Sequence, residues 1–148
     1  MTMRLRSQAR EVTLCLLYQV EIRKIDFNLA RHDYLEHNPQ QQEVVDFSSL
    51  LLEGVITNLE HLDCLIKKYA ENWEIARMAV IDRSILRMAC FELFFLEEIP
   101  PKVSINEAIE LAKRFGDINS PRFINGVIDR IYKSEEGVRV ISLSGKSL

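Results

Sequence analysis

Apolar residues recur along this chain at the three- and four-residue spacing of helices, and two-residue strand alternation is hard to find. Ala9, Val12, Leu16 and Val20 form the first stripe, widened by Leu17, with Arg10, Glu11 and Gln19 on more polar faces. With Ser7 as N-cap, the stripe predicts a helix from Ser7 to about Arg23. A short second helix is expected over Phe27–His37, broken at Asn38-Pro39 because a residue before proline is pushed out of the helical region. From Gln40 to about Tyr69, the series Val44, Phe47, Leu51, Val55, Leu59, Leu62 and Ile66 reads as one long helix. Gly54 costs about 1 kcal/mol there relative to alanine, which marks a place for a bend or a close crossing. The run Leu50-Leu51-Leu52 implies burial on more than one side.

Trp73 to Val80 reads as a connector with one helical turn. Ile81, Ile85, Leu86, Ala89, Cys90 and Leu93 then predict a helix ending near Leu96, apolar on more than one face and so placed centrally. Glu97-Glu98-Ile99-Pro100-Pro101 stops it. The stretch Val103–Ile131 holds two more helices. Ser104 and Glu107 form an S-x-x-E capping box, followed by Ile105, Ala108, Ile109, Ala112 and Phe115 on one face. Gly116 is expected to end that helix in the left-handed conformation. Ser120 as N-cap and Pro121 at the first helical position start the next, with Ile124, Val127, Ile128 and Ile131 as its stripe. A tight polar loop, Asp117-Ile118-Asn119-Ser120, joins the two. The pattern predicts an all-α fold, a compact bundle of six to seven helices in a single domain over residues 1–133. Glycine, serine and mixed charge after Tyr132 predict a mobile tail, 134–148.

Composition narrows the function. With 148 residues and a hydrophobic fraction of 47%, the chain can fill a core. Its net charge of −3 argues against coating nucleic acid by bulk electrostatics. Residues 1–10 nevertheless carry Arg4, Arg6 and Arg10 and no acid, a small basic arm that also reads as a solvated tail. Cys15, Cys64 and Cys90, with no C-x-x-C, read as reduced core thiols. No signal peptide opens the chain, and no apolar run approaches the roughly 18 residues of a membrane span, so the cytoplasm is the expected location.

No catalytic constellation assembles from the sequence. His32, His37 and His61 lack metal-site spacing, and there is no Gly-rich phosphate loop and no G-x-S-x-G. An enzyme is not expected. Binding remains. The loop at Asp117–Ser120 presents a helix N-terminus flanked by Lys113, Arg114 and Arg122, suited to phosphate, though an ordinary helix hairpin with solvated charges has the same appearance. A protein with little bulk charge can still read single-stranded RNA through a few arginines and stacked aromatic rings. Arg4, Arg6, Arg10, Tyr18, Arg87, Arg122 and Phe123 are candidates. Core packing is the competing reading for Tyr18 and Phe123, and Arg87 could instead cover its helix with its aliphatic stem.

The run IPPKVSINEAIELAKRFGDINSPRFINGVIDRI closely resembles the C-terminal half of the NusB family, bacterial transcription antitermination factors. ILRMACFEL and the opening ARE…LYQVE resemble its other characteristic segments, colinear from about Arg4 to Tyr132. The resemblance implies two three-helix subdomains with an extra helix, and no cofactor. It implies binding to boxA, a single-stranded element of ribosomal RNA operons, together with NusE, also a small-subunit ribosomal protein. Other Nus factors and RNA polymerase would be engaged indirectly. Carried over by position, the RNA-binding residues are Arg4, Arg6, Arg10, Tyr18, Arg87, Asn119, Ser120, Arg122 and Phe123. NusE would dock around Arg77, Ile81 and Asp82.

Two departures stand out. Ser7 and Gln8 occupy the place where the family's arm often carries consecutive basic residues, and Asn119 stands where its loop often carries an acid. Fewer neutralised phosphates imply weaker binding alone, whereas losing the acid favours RNA modestly. Two rival readings share the fold: a non-enzymatic helical scaffold or homodimer, and an RNA-binding domain like the N-terminal part of certain ribosomal RNA cytosine methyltransferases.

Overall fold

The helical periodicity is realised throughout. A computed structural model describes residues 3–71 and 73–146, with side chains through 135. Among the described residues there are seven α-helices and no strand: α1 (Met3–Arg23), α2 (Phe27–His37), α3 (Gln42–Thr57), α4 (Leu59–Tyr69), α5 (Val80–Phe95), α6 (Pro101–Phe115) and α7 (Ser120–Lys146). A short 3-10 turn, Ile75–Arg77, lies in the connector before α5. None of these helices is long and apolar enough to cross a membrane. The chain divides into two compact units, 1–58 and 59–148.

In the first unit α1 packs on α2 and α3. Ala9, Val12, Leu16 and Leu17 of α1 are buried, as are Val44, Phe47, Leu51, Leu52 and Val55 of α3. The Thr13 hydroxyl donates to the Ala9 carbonyl at 2.8 Å, which keeps a buried polar group satisfied within its own helix. Leu50 is 45% exposed, so the Leu50–Leu52 run is buried on one side only.

In the second unit α5 is the central helix, packed on α4, α6 and α7. Burial on nearly every face, from Ser84 and Ile85 through Leu86, Met88, Ala89, Cys90 and Leu93, matches the apolar character read from the sequence. Arg87 Nε donates to Asp63 Oδ1 at 2.7 Å and Nη2 to Asp63 Oδ2 at 2.9 Å, a bidentate clamp between α5 and α4. Ile124, Val127, Ile128 and Ile131 of α7 are buried, as their spacing requires.

Several boundaries differ from the sequence reading. Ser7 caps nothing: α1 begins at Met3, and the Ser7 hydroxyl donates to the Met3 carbonyl at 3.0 Å. The long helix expected over 40–69 is two helices. Asn58 ends α3, its side-chain amide donating to the Gly54 carbonyl at 2.8 Å. The capping box at Ser104 and Glu107 is not formed either. Pro101 sits at the start of α6, where its missing N–H costs nothing, so Ser104 lies one turn inside the helix. Its buried hydroxyl donates instead to Glu92 Oε1 at 2.9 Å. Cys64 is exposed rather than a core thiol, while Cys90 is fully buried and its thiol is pushed up to about 12. The helical backbone of α7 continues to Lys146. The expected tail, 134–148, lies from residue 136 onward outside the described side chains.

Candidate nucleic-acid interface

The loop between α6 and α7 is fixed by a reciprocal cap. Asp117 Oδ1 accepts the backbone N–H groups of Asn119 at 2.8 Å and Ser120 at 3.1 Å. Ser120 Oγ in turn accepts the Asp117 N–H at 3.0 Å. This is the capping-box exchange with an acid in front and a serine behind, so orphan donors at the start of α7 are satisfied within the loop. Ser120 is buried by this role.

Gly116 closes the other side of the loop without entering the left-handed region: its φ is −89° and ψ −172°. Glycine is needed here for space. A Cβ at this position would collide with the Ser120 hydroxyl and lie 2.9 Å from the Ala112 carbonyl. Ile118 at the tip is 94% exposed.

This loop borders a cavity of about 480 Å³ lined by Trp73, Met78, Ala79, Asp82, Asp117, Asn119, Arg122 and Phe123. Arg122 and Asn119 are exposed, and Phe123 is half-buried. The Trp73 and Phe123 rings meet edge to face, centroids 5.6 Å apart at 61°. Met78 and Ala79 come from the connector, whose last turn is held by Arg83 Nη1 donating to the Met78 carbonyl at 2.7 Å. Asp82, in the first turn of α5, is 9% exposed, and its Oδ1 is buried without a hydrogen-bond partner. Burial pushes the Asp82 carboxyl above the ordinary carboxylate range; a hydrogen bond from Ser120 opposes the rise and the nearby Asp117 charge adds to it.

The cavity therefore gathers Asn119, Arg122 and Phe123 of the expected RNA set and Asp82 of the expected partner set. Arg77 and Ile81 are not among its lining residues. Arg77 is exposed and pairs with Glu74 at 3.6 Å, and Ile81 is half-buried. Arg87 is engaged by Asp63, with its side chain 13% exposed.

The remaining candidates belong to the first unit. The basic arm is not a free strand of chain but the first turns of α1. Arg4 is exposed. Arg6 and Arg10 both lay their guanidinium groups over the Phe47 ring, at 4.9 and 5.5 Å from its centroid. Arg10 is only 1% exposed. Tyr18 is 42% exposed, which favours a surface role over core packing.

Two residues central to this geometry escaped the sequence reading. Asp117 was legible in principle, as an acid three residues before Ser120. Trp73 offered a weaker signal, a lone tryptophan between polar neighbours in a connector.

The NusB family model matches residues 7–133. The transcription antitermination protein NusB of Syntrophus aciditrophicus is 47% identical over 130 residues, covering 88% of this chain and 81% of that protein. Its counterpart in Bacillus subtilis is 42% identical over 126 residues, covering 85% and 93%. Among solved structures, Thermotoga maritima (T. maritima) NusB superposes with a TM-score of 0.79 at 38% identity, covering 86% of this chain and 90% of that one. A crystal structure of the antitermination factors NusB and NusE in complex with double-stranded RNA contains a chain matching with a TM-score of 0.81 at 27% identity, covering 90% and 99%. With the fold, the motifs and these relatives in agreement, this chain belongs to the NusB family.

Proposed function

We propose that this protein is a transcription antitermination factor that binds boxA, a short single-stranded element of ribosomal RNA operon transcripts, together with NusE. Other Nus factors and RNA polymerase are engaged through that complex in the cytoplasm. The role is one of binding, with no reaction step and no cofactor. The observation that carries this reading is the grouping of Asn119, Arg122 and Phe123 around one cavity at the capped start of α7. Such a site offers a cation for phosphate, an amide for a base edge and a ring for stacking. The names of the relatives, and the NusB–NusE–RNA complex among the structural neighbours, support it.

On the first unit the proposed contacts are Arg4, Tyr18 and the arginines behind them, Arg6 and Arg10. On the second they are Asn119, Ser120, Arg122, Phe123 and Arg87, which must share or exchange its Asp63 partner to reach RNA. Ser120 acts by holding the loop. Arg77 and Ile81 are proposed to face NusE; Asp82, expected beside them, instead lines the cavity of Asn119, Arg122 and Phe123 and is assigned to the RNA side. About four phosphate contacts give a log–log salt slope near −3, or roughly fiftyfold in affinity between 50 and 200 mM salt. On a body of net charge −3, so few cations make the partner's contribution important.

The test is fluorescence anisotropy with a boxA RNA and a scrambled control, with and without NusE, at two salt concentrations. Preference for boxA, strengthened by NusE, is the expected result. Equal binding to both RNAs, or none with the partner present, would leave only the fold.

A further inference from the structure

Trp73 is the chain's only tryptophan, and 53% of it is exposed. A half-wet indole is costly unless something covers it, since a large apolar ring left in water forfeits its burial energy. Its position is held by the segment around it. The Trp73 backbone N–H donates to the Ala70 carbonyl at 3.1 Å, just past the end of α4, and the ring abuts Phe123. The two rings stand at 61°, so they form an open corner rather than a closed stack. A flat ligand can lie on one face and meet the edge of the other. The corner opens on a cavity of about 480 Å³, within the roughly 300–1,000 Å³ of small-ligand sites.

The same cavity supplies polar groups suited to a nucleotide. Arg122 is an exposed cation at the start of α7, placed for a phosphate. Asp82 also lines this cavity; its Oδ1 is unpartnered but shielded from solvent, so a donor entering the cavity reaches the carboxylate only by a turn of the Asp82 side chain. A carboxylate accepts from the amino groups of bases, whereas a keto oxygen at that position would face it unfavourably.

Building on the RNA-binding reading above, we infer that the Trp73–Phe123 corner seats one unpaired base of the bound RNA, and that Asp82 selects a base presenting an amino group. Trp73 is then a further specificity-determining residue, on the connector rather than on the loop or the first helix.

The single tryptophan makes the test direct. The full chain bound to NusE is titrated with boxA RNA while Trp73 emission is followed, and the Trp73→Phe complex serves as the blank for the partner's own emission. The same titration is read by anisotropy of a labelled RNA. Expected are saturable quenching of Trp73 at the anisotropy midpoint and a roughly 5- to 150-fold loss of affinity in Trp73→Ala. Abasic substitution at one RNA position should abolish the quenching. At that position an amino-free counterpart, hypoxanthine for a purine or uracil for cytosine, should bind about tenfold more weakly. Asp82→Asn should erase that difference. RNA that binds by anisotropy with Trp73 emission and Trp73→Ala affinity unchanged would overturn the inference and leave the function intact. Quenching by NusE alone, with no further change on adding RNA, would overturn it too, assigning the corner to the protein partner. No binding by either readout would overturn the functional reading itself.

Discussion

Asp117 and Ser120 cap each other across the α6–α7 loop, each side chain accepting the other's backbone N–H, at 3.1 and 3.0 Å. The loop that carries Asn119 is thus held by backbone bonds before any ligand arrives, which lowers the ordering cost of binding. Asp117→Ala should lose about 1–2 kcal/mol, the usual worth of an N-cap. Gly116→Ala should lose about 1–3 kcal/mol, since its Cβ would press on Ser120 and the Ala112 carbonyl. Its φ of −89° suits alanine, so the loss is steric, and thermal unfolding of the pair of variants measures both. An unchanged melting temperature in Gly116→Ala would contradict the close approach.

The arginines of α1 separate into different kinds. Arg10 is buried over Phe47, so Arg10→Ala should cost about 2 kcal/mol or more in stability, and its effect on RNA binding will be mixed with unfolding. Arg4 is exposed, so Arg4→Ala should leave stability within about 0.5 kcal/mol. If Arg4 contacts a phosphate, the variant should also reduce the salt slope by about 0.7. Denaturant unfolding beside salt-dependent anisotropy separates the two effects.

Asp82 should leave a mark on the pH dependence of stability. Its folded carboxyl titrates above the ordinary value of 3.8, chiefly because it is buried. The folded state therefore binds the proton more tightly than the unfolded state, and this group's contribution falls as pH rises from 3.8 through the folded value. Asp82→Asn, neutral throughout, should lack that decline. The stability difference between variant and parent should grow in the variant's favour as pH rises across that window and then level off. A difference that stays flat, measured by urea unfolding from about pH 3.5 to 7, would contradict the burial argument.

Asn119 is exposed on the loop beside Arg122. If Asn119 faces RNA as proposed, Asn119→Asp adds a like charge near the phosphates; at about 6 Å in water this costs roughly 0.7 kcal/mol, or about threefold in affinity at low salt. The loss should shrink as salt is raised. Unchanged or tighter binding at 50 mM would place Asn119 away from the phosphates.

Long periodic segments were readable because burial imposes the pattern directly. Phe27–His37 and the α5 stripe needed nothing beyond spacing and a stop signal. Boundaries were less legible because several residues compete for each capping role. Ser104 satisfies a capping motif in sequence, yet Pro101 starts α6 earlier and leaves Ser104 to bond Glu92. The end of α1 uses Lys24 at φ 54°, a left-handed position with no glycine to announce it. The break at Asn58 was masked because Val55 and Leu59 continue the same apolar spacing across it. For the site, Arg122, Phe123 and Asn119 followed from the loop and the family resemblance. Asp82 and Trp73 reach the same cavity only through the fold, since forty or more residues separate Trp73 from Phe123 in sequence.

The central claim is that the capped start of α7 grips boxA RNA. It is tested most directly by the affinity of the NusE complex for boxA RNA in the parent chain and in Arg122→Ala and Phe123→Ala, with folding checked by thermal unfolding. The expected result is a loss of about 5- to 150-fold in Phe123→Ala, the worth of one stacked base, and a shallower salt slope in Arg122→Ala. Folded variants that bind boxA with the parent's affinity and salt dependence would contradict it.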